Sequence, residues 1–310
     1  KLKQNLIDYA EDARMSRKLV ELVCDLALPE PLEDLALKGL PPEPMRAFLE
    51  DQGFRSLLTK LGVTAAAPAL LPPAVEEEPP FVHKDYETVV DAAALDRWIE
   101  AARAVGVVAV DTETDNIDCM RAELVGVSLA TGPGKACYIP VGHRGDGLLS
   151  DPPPQLDRDL VLNKLKPLLE DEAVLKVGQN LKYDLLVLKW YGKELKGPIF
   201  DTMLAHYVIE PEGKRGMDLL SAQYLGYEPV HIEELIGKKG KAQGTMRDVE
   251  LEKIKDYAAE DADITLQLQH CFLPLLKTKE VANFFYKVEN PLVKVLTSME
   301  YAGIRVDMDF

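Results

Sequence analysis

The chain has 310 residues, 47% of them hydrophobic and 28% charged, with 36 basic against 52 acidic side chains and a formal charge of -16. That composition supports a large core and lies near the globular average. No apolar run approaches a membrane span and no signal peptide opens the chain, so membrane partners are excluded and a cytoplasmic location is expected.

Residues 1–62 carry helical periodicity, with LVELVCDLAL and MRAFLEDQGFRSLLTKL as apolar stripes broken by a turn at Pro41 to Pro44. Residues 63–80 hold AAAPALLPPAVEEEPP, whose prolines lack donors and whose glutamates repel, so an extended linker is expected. From Phe81 to Tyr286 strands and helices mix. YETVVD reads as a short strand, AALDRWIEAARAV as a helix and VGVVAVDTE as a strand. ELVGVSLATG and KACYIPVG form a hairpin around Gly132 and Gly134. LVLNKLKPLLED then reads as a helix, VLKVGQN as a strand rejoining the sheet, and the remainder up to Tyr286 as a run of helices. The expected fold class is α/β, a three-layer domain with a mixed sheet, preceded by a small helical segment. Gln179 and Asn180 stand where a strand hands over to a helix, a usual place for α/β sites.

The cysteines, Cys24, Cys119, Cys137 and Cys271, include no Cys-x-x-Cys pair, so zinc ribbons and redox centres lack support and reduced, structural thiols are expected. The five histidines are as scattered and read as hydrogen-bonded structural residues.

Chemistry concentrates in VVAVDTETD, Val107 to Asp115. Strand alternation puts Asp111 and Glu113 on one face, about 7 Å apart along the chain. Two readings are open for this motif alone: a solvated acidic turn after a core strand, or a buried strand end whose charges need Mg²⁺ or Mn²⁺. Further acids lie on expected helices. Asn180, Tyr183 and Asp184 have i, i+3, i+4 spacing, and Tyr257 and Asp261 have i, i+4 spacing. A strand pair of acids plus two helical ones matches a four-carboxylate, two-metal site.

Asp111-Thr-Glu113, Asn180-x-x-x-Asp184 and Tyr257-x-x-x-Asp261 resemble the three exonuclease motifs of the DEDD superfamily, in the subclass with tyrosine in the third motif. Around them GQNLKYD, FDTMLAHYVI, MDLLSAQYLGY and YAAEDADITLQL resemble the proofreading domain of the bacterial DNA polymerase I family (family A). VENPLVKVLTSMEYAGIRVD resembles the opening of that family's polymerase domain, and Lys1 to Gly62, more weakly, the last helical part of its 5′-nuclease domain. The resemblance implies a ribonuclease-H-like fold and four parts: a 5′-nuclease tail (1–62), a linker (63–80), a 3′-5′ exonuclease domain (81–286) and a truncated polymerase start (287–310). It implies a fragment without polymerase activity that works in DNA replication and repair.

The same resemblance implies roles. Asp111, Glu113 and Asp261 would hold one divalent ion that activates a water; Asp111 would bridge to a second at the leaving 3′ oxygen, supported by Asp184 partly through water. Both ions would be Mg²⁺ or Mn²⁺, with Zn²⁺ possible at one site. Tyr257 would orient the nucleophile as a neutral phenol. Asn180 would donate to the substrate phosphate or to the site carboxylates, and Ile117 would wedge between terminal bases. Tyr183 and Tyr257 could stack on bases. The partner would be a DNA 3′ end, single-stranded or frayed, because a narrow site cannot admit a paired terminus without melting it. Net charge argues against nucleic acid, but Lys238, Lys239, Lys241 and Arg247 crowd one loop, so weak, salt-sensitive binding is expected. Two alternatives stand beside this: a catalytically idle module that positions DNA, and a DEDD-type ribonuclease.

Overall fold

The structure, a computed structural model, describes residues 2–22, 42–52, 54, 57, 86–145, 151–238, 240 and 243–308. The chain divides into two compact units, Lys1–Glu77 and Glu78–Phe310. The first contains α1 (Leu2–Asp8), α2 (Ala10–Leu19) and α3 (Pro42–Asp51). The turn expected at Pro41 to Pro44 is instead a helix start, since α3 begins at Pro42. The first N–H groups of a helix have no intrahelical acceptor, so prolines lose nothing there. Residues 23–28 of LVELVCDLAL, Cys24 among them, and the linker sequence from Ala65 to Pro80 lie outside the described residues.

The second unit opens with β1 (Glu87–Thr88) and α4 (Ala92–Val105). Asp91 caps α4 by accepting from the N–H groups of Ala93 and Ala94 at 2.9 and 2.8 Å. Gly106, at φ 76°, closes the helix and turns the chain into β2 (Val107–Thr114). β3 (Leu124–Gly132) and β4 (Lys135–Pro140) form the expected hairpin, with Gly134 at φ 66° in its two-residue loop. α5 (Arg158–Leu169), β5 (Leu175–Gly178) and α6 (Leu181–Trp190) come after it. The expected run of helices is then interrupted by β6 (Ile199–Asp201), whose three residues are too few to show alternation. α7 (Thr202–Ile209), α8 (Met217–Tyr224), α9 (Ile232–Ile236) and the long α10 (Leu251–Thr278) come next. A helical turn and a π-helical stretch, Phe285–Glu289, lead into α11 (Asn290–Ala302).

The six strands form one mixed sheet in the order β1-β4-β3-β2-β5-β6. β2 runs antiparallel to β3 and parallel to β5, so it lies at the centre of the sheet. Alternation decides its two faces. Val108 and Val110 pack with Val127, Leu129 and Ile139 against leucines of α4, α5 and α6. On the other face Ala109, Ala130 and Ala136 meet Ala259 and Ala262 of α10. Alanines on both sides let α10 approach the strands closely, which brings its side chains to the end of β2. The layers are therefore helices, sheet and helices, as expected. Among the described residues no helix is long and apolar enough to cross a membrane.

Candidate active site

β2 does not stop at its first acid: it continues through Asp111 and Glu113 to Thr114, paired with Ser128 and Gly126 of β3 on the way. Glu113 is only 7% exposed, which removes the solvated-turn reading. Carboxylate oxygens of Asp111, Glu113 and Asp261 all lie within 4.8 Å of one another. Asp261 arrives from α10 one turn beyond Tyr257, whose hydroxyl is hydrogen-bonded to it. The i, i+4 spacing thus does what the sequence predicts.

Asp184 reaches β2 from the other layer. Its Oδ1 accepts the Thr112 N–H at 3.0 Å and also the Thr112 hydroxyl. Thr112 points away from Asp111 and Glu113, so the middle residue of the Asp-Thr-Glu motif serves to hold Asp184. The charge of Asp184 is felt at the three-acid cluster, raising Glu113, and Asp111 in turn raises Asp184.

Burial is the largest cause at all four acids. It pushes the Asp111 carboxyl up to about 6, against the Thr112 N–H, which lowers it. Glu113, Asp184 and Asp261 are held well above the usual carboxylate range by burial and then by neighbouring carboxylates, Asp111 among them in each case. Burial and the charge of Asp261 raise Tyr257 far above an ordinary phenol, so it is neutral at any working pH. No lysine or arginine pairs with the four acids among the described residues. Buried or partly buried, mutually repelling and all-oxygen, this donor set fits a hard divalent cation.

These shifts make stability depend on pH. An acid whose folded pKa lies above its unfolded value stabilises the native state only on the acid side, and that stability is lost as pH rises through the folded pKa. For Asp111 the window runs from about 4 to about 6. Without metal the acid cluster therefore opposes folding more at pH 7.5 than at pH 5.5. The gain in Tm on adding saturating Mn²⁺ should be larger at pH 7.5, and an equal or smaller gain there would contradict the assignment of these charges.

The strand-to-helix handover is built by a residue that sequence reading missed. Asp201, buried at the end of β6, accepts the N–H groups of Asn180 and Leu181 at 3.3 and 2.7 Å and of Met203 and Leu204 at 2.9 and 3.2 Å. One carboxylate thus caps α6, which carries Asp184, and α7 together. Asn290 of the C-terminal segment extends this latch, accepting the Asp201 N–H and donating to the Ile199 carbonyl. The available signal was an aspartate before Thr-Met-Leu, which reads only as an ordinary cap.

Asn180 takes φ 59° and ψ 46° at the start of α6; its exposed side chain caps nothing and donates to none of the four acids. Tyr183 is half-buried against the core, and its hydroxyl meets the Thr114 hydroxyl and donates to the Asn116 carbonyl at 2.6 Å. It anchors the β2–β3 loop. At the tip of that loop Ile117 is 93% exposed. The expected basic patch is a partial miss. Arg247, 11% exposed, is paired with Asp115 at 3.1 Å and with Glu123, pinning both ends of the Ile117 loop. Lys238 is exposed, and Lys239 and Lys241 lie outside the described residues.

A sheet of this order, with acids gathered from its central strand and from a helix on each side, defines the ribonuclease-H-like class. Solved structures of that class superpose: Escherichia coli RNase D at TM-score 0.53 and 21% identity, over 70% of this chain and 51% of that one. The POL domain of Pol1 from M. smegmatis gives TM-score 0.54 and 19% identity, over 72% of this chain and 33% of that one. Within the class the chain belongs to the 3′-5′ exonuclease family found in family A DNA polymerases, whose profile matches residues 86–277. It is 44% identical to DNA polymerase I of Rhizobium leguminosarum over 245 residues, covering 74% of this chain and 24% of that protein. Against DNA polymerase I of Pseudomonas aeruginosa it is 37% identical, covering 99% of this chain and 33% of the relative. The chain thus spans about a quarter to a third of the length of these relatives.

Proposed function

We propose that this chain carries the proofreading exonuclease of a bacterial DNA polymerase I, removing nucleoside 5′-monophosphates one at a time from DNA 3′ ends. The observation that carries the reading is the partly buried, uncompensated cluster of Asp111, Glu113 and Asp261, with Asp184 coupled to it from the opposite layer. The sequence likeness to DNA polymerases, against a likeness of fold alone to RNase D, favours DNA over RNA. Replication and repair in the cytoplasm would be its setting.

Asp111, Glu113 and Asp261 would hold one divalent ion, and Asp111 with Asp184 a second; Mg²⁺ or Mn²⁺ suits oxygen donors best, with Zn²⁺ possible at one site. Two such ions would supply an activated water and stabilise the leaving oxygen. The protein's own part is positional. Thr112 fixes one oxygen of Asp184 through both its N–H and its hydroxyl. Tyr257 donates to Asp261 and, being neutral, can orient a nucleophile without taking its proton. Asn180, exposed at the start of α6, would donate to the substrate phosphate. Ile117, apolar and fully presented to solvent on a loop tied down at both ends, suits wedging between terminal bases and so favours single-stranded or frayed ends.

The test is a mass-resolved digestion of a 3′-labelled single strand with Mg²⁺, with EDTA and with an Asp111→Ala variant. Mononucleotide release confined to the Mg²⁺ reaction supports the proposal. Equal cleavage in all three defeats it, and faster cleavage of a matched RNA would favour the ribonuclease reading. In the same assay Tyr257→Phe should keep metal binding and turn over about 10²-fold more slowly. Wild-type speed would remove Tyr257 from the mechanism.

A further inference from the structure

Ser128 stands directly across the β2–β3 pair from Asp111. Both belong to the sheet face that turns Ala109 and Ala130 toward α10, because alternate residues of a strand share a side. Ser128 is fully buried, and its Oγ has no hydrogen-bond partner. Its other cross-strand neighbour, Tyr138 of β4, does not supply one. The Tyr138 hydroxyl is bonded to His143 Nε2 at 2.7 Å. The ring is held over Gly126, opposite Glu113, where an added Cβ would lie 2.2 Å from it.

A buried hydroxyl left without a partner is costly, and such exceptions point to a function or to a group that arrives later. Side chains directly opposite in an antiparallel pair have Cβ atoms about 4.5–5.5 Å apart, which puts a serine hydroxyl within a rotamer change of an aspartate carboxylate. We propose that Ser128 is a positioning residue for Asp111: its hydroxyl donates to the ionised Asp111 carboxylate and fixes the orientation in which that carboxylate holds a divalent cation. This rests on the metal-site reading above. Partners behind a metal ligand work by orienting it, and losing one typically weakens metal affinity about 10–100-fold.

The test compares the wild-type chain with Ser128→Ala and Asp111→Asn by calorimetric Mn²⁺ titration and by Tm in EDTA. Ser128→Ala should bind Mn²⁺ about 10–100-fold more weakly. Its Tm in EDTA should be unchanged or higher, because alanine removes an unsatisfied polar group. A merely structural hydroxyl would give the opposite pattern, a lower Tm with unchanged affinity, and that result overturns the proposal. If Ser128→Ala binds Mn²⁺ like the wild type while Asp111→Asn does not, the role of Ser128 falls and the metal site stands. If Asp111→Asn also binds normally, the metal reading itself has failed and the proposal with it.

Discussion

Asp111→Asn should slow 3′-end hydrolysis by about 10⁴-fold while raising the melting temperature of the protein in EDTA. The first half comes from position. Carboxylate oxygens of Asp111, Glu113 and Asp261 lie within 4.8 Å of one another, and the charge of Asp111 is felt at each of the other three acids, Asp184 included. Charge stabilisation by a bound metal is worth several kcal/mol in the transition state, and about 1.36 kcal/mol corresponds to tenfold in rate. The second half comes from repulsion. Glu113, Asp184 and Asp261 are each raised by the charge of Asp111, so an amide there relieves three unfavourable interactions at once. Activity and metal-free stability should move in opposite directions. A variant that is both inactive and less stable in EDTA would show Asp111 to be a structural residue.

Asp201→Ala carries the largest expected loss of stability, on the order of 3 kcal/mol or more. It would leave four backbone N–H groups unpaired where one carboxylate now accepts them, and each buried orphan costs about 1–3 kcal/mol. Asp201→Asn should cost less than alanine. Its oxygen can replace Oδ1, which serves Asn180, Met203 and Leu204, but its amide then faces the Leu181 N–H that Oδ2 accepts. Because Leu181 begins the helix that carries Asp184, surviving Asp201→Asn protein should also lose activity without losing Glu113 or Asp261. Urea unfolding of the three proteins checks the order wild type, asparagine, alanine. Equal midpoints would show that solvent satisfies these donors and that Asp201 latches nothing.

Local patterns carry much of the architecture. The Gly132 and Gly134 turn, the strand ending in Asp-Thr-Glu and the i, i+4 pair Tyr257 and Asp261 are each written within a few residues, and each stands in the structure where expected. The features that escape depend on distant pairings. β6 is three residues long and exists because β5 lies beside it. Arg247 reads as part of a basic run, yet its charge is spent on Asp115 and Glu123, more than a hundred positions upstream. Tyr183 has the spacing of a site residue, but its hydroxyl holds the loop of Ile117. Pro42 reads as a turn former because prolines break helices; at a first turn they start one instead. Thr112 is the instructive case. It sits between two acids and reads as a spacer, and only the packing of α6 against β2 turns it into the anchor of a third.

Anomalous diffraction from crystals soaked in Mn²⁺ tests the central claim most directly. One peak contacting Asp111, Glu113 and Asp261 and a second between Asp111 and Asp184 are the expected result, both absent after an EDTA soak. Density with no peak at the three-carboxylate cluster, under Mn²⁺ concentrations that support nucleases of this class, would contradict it.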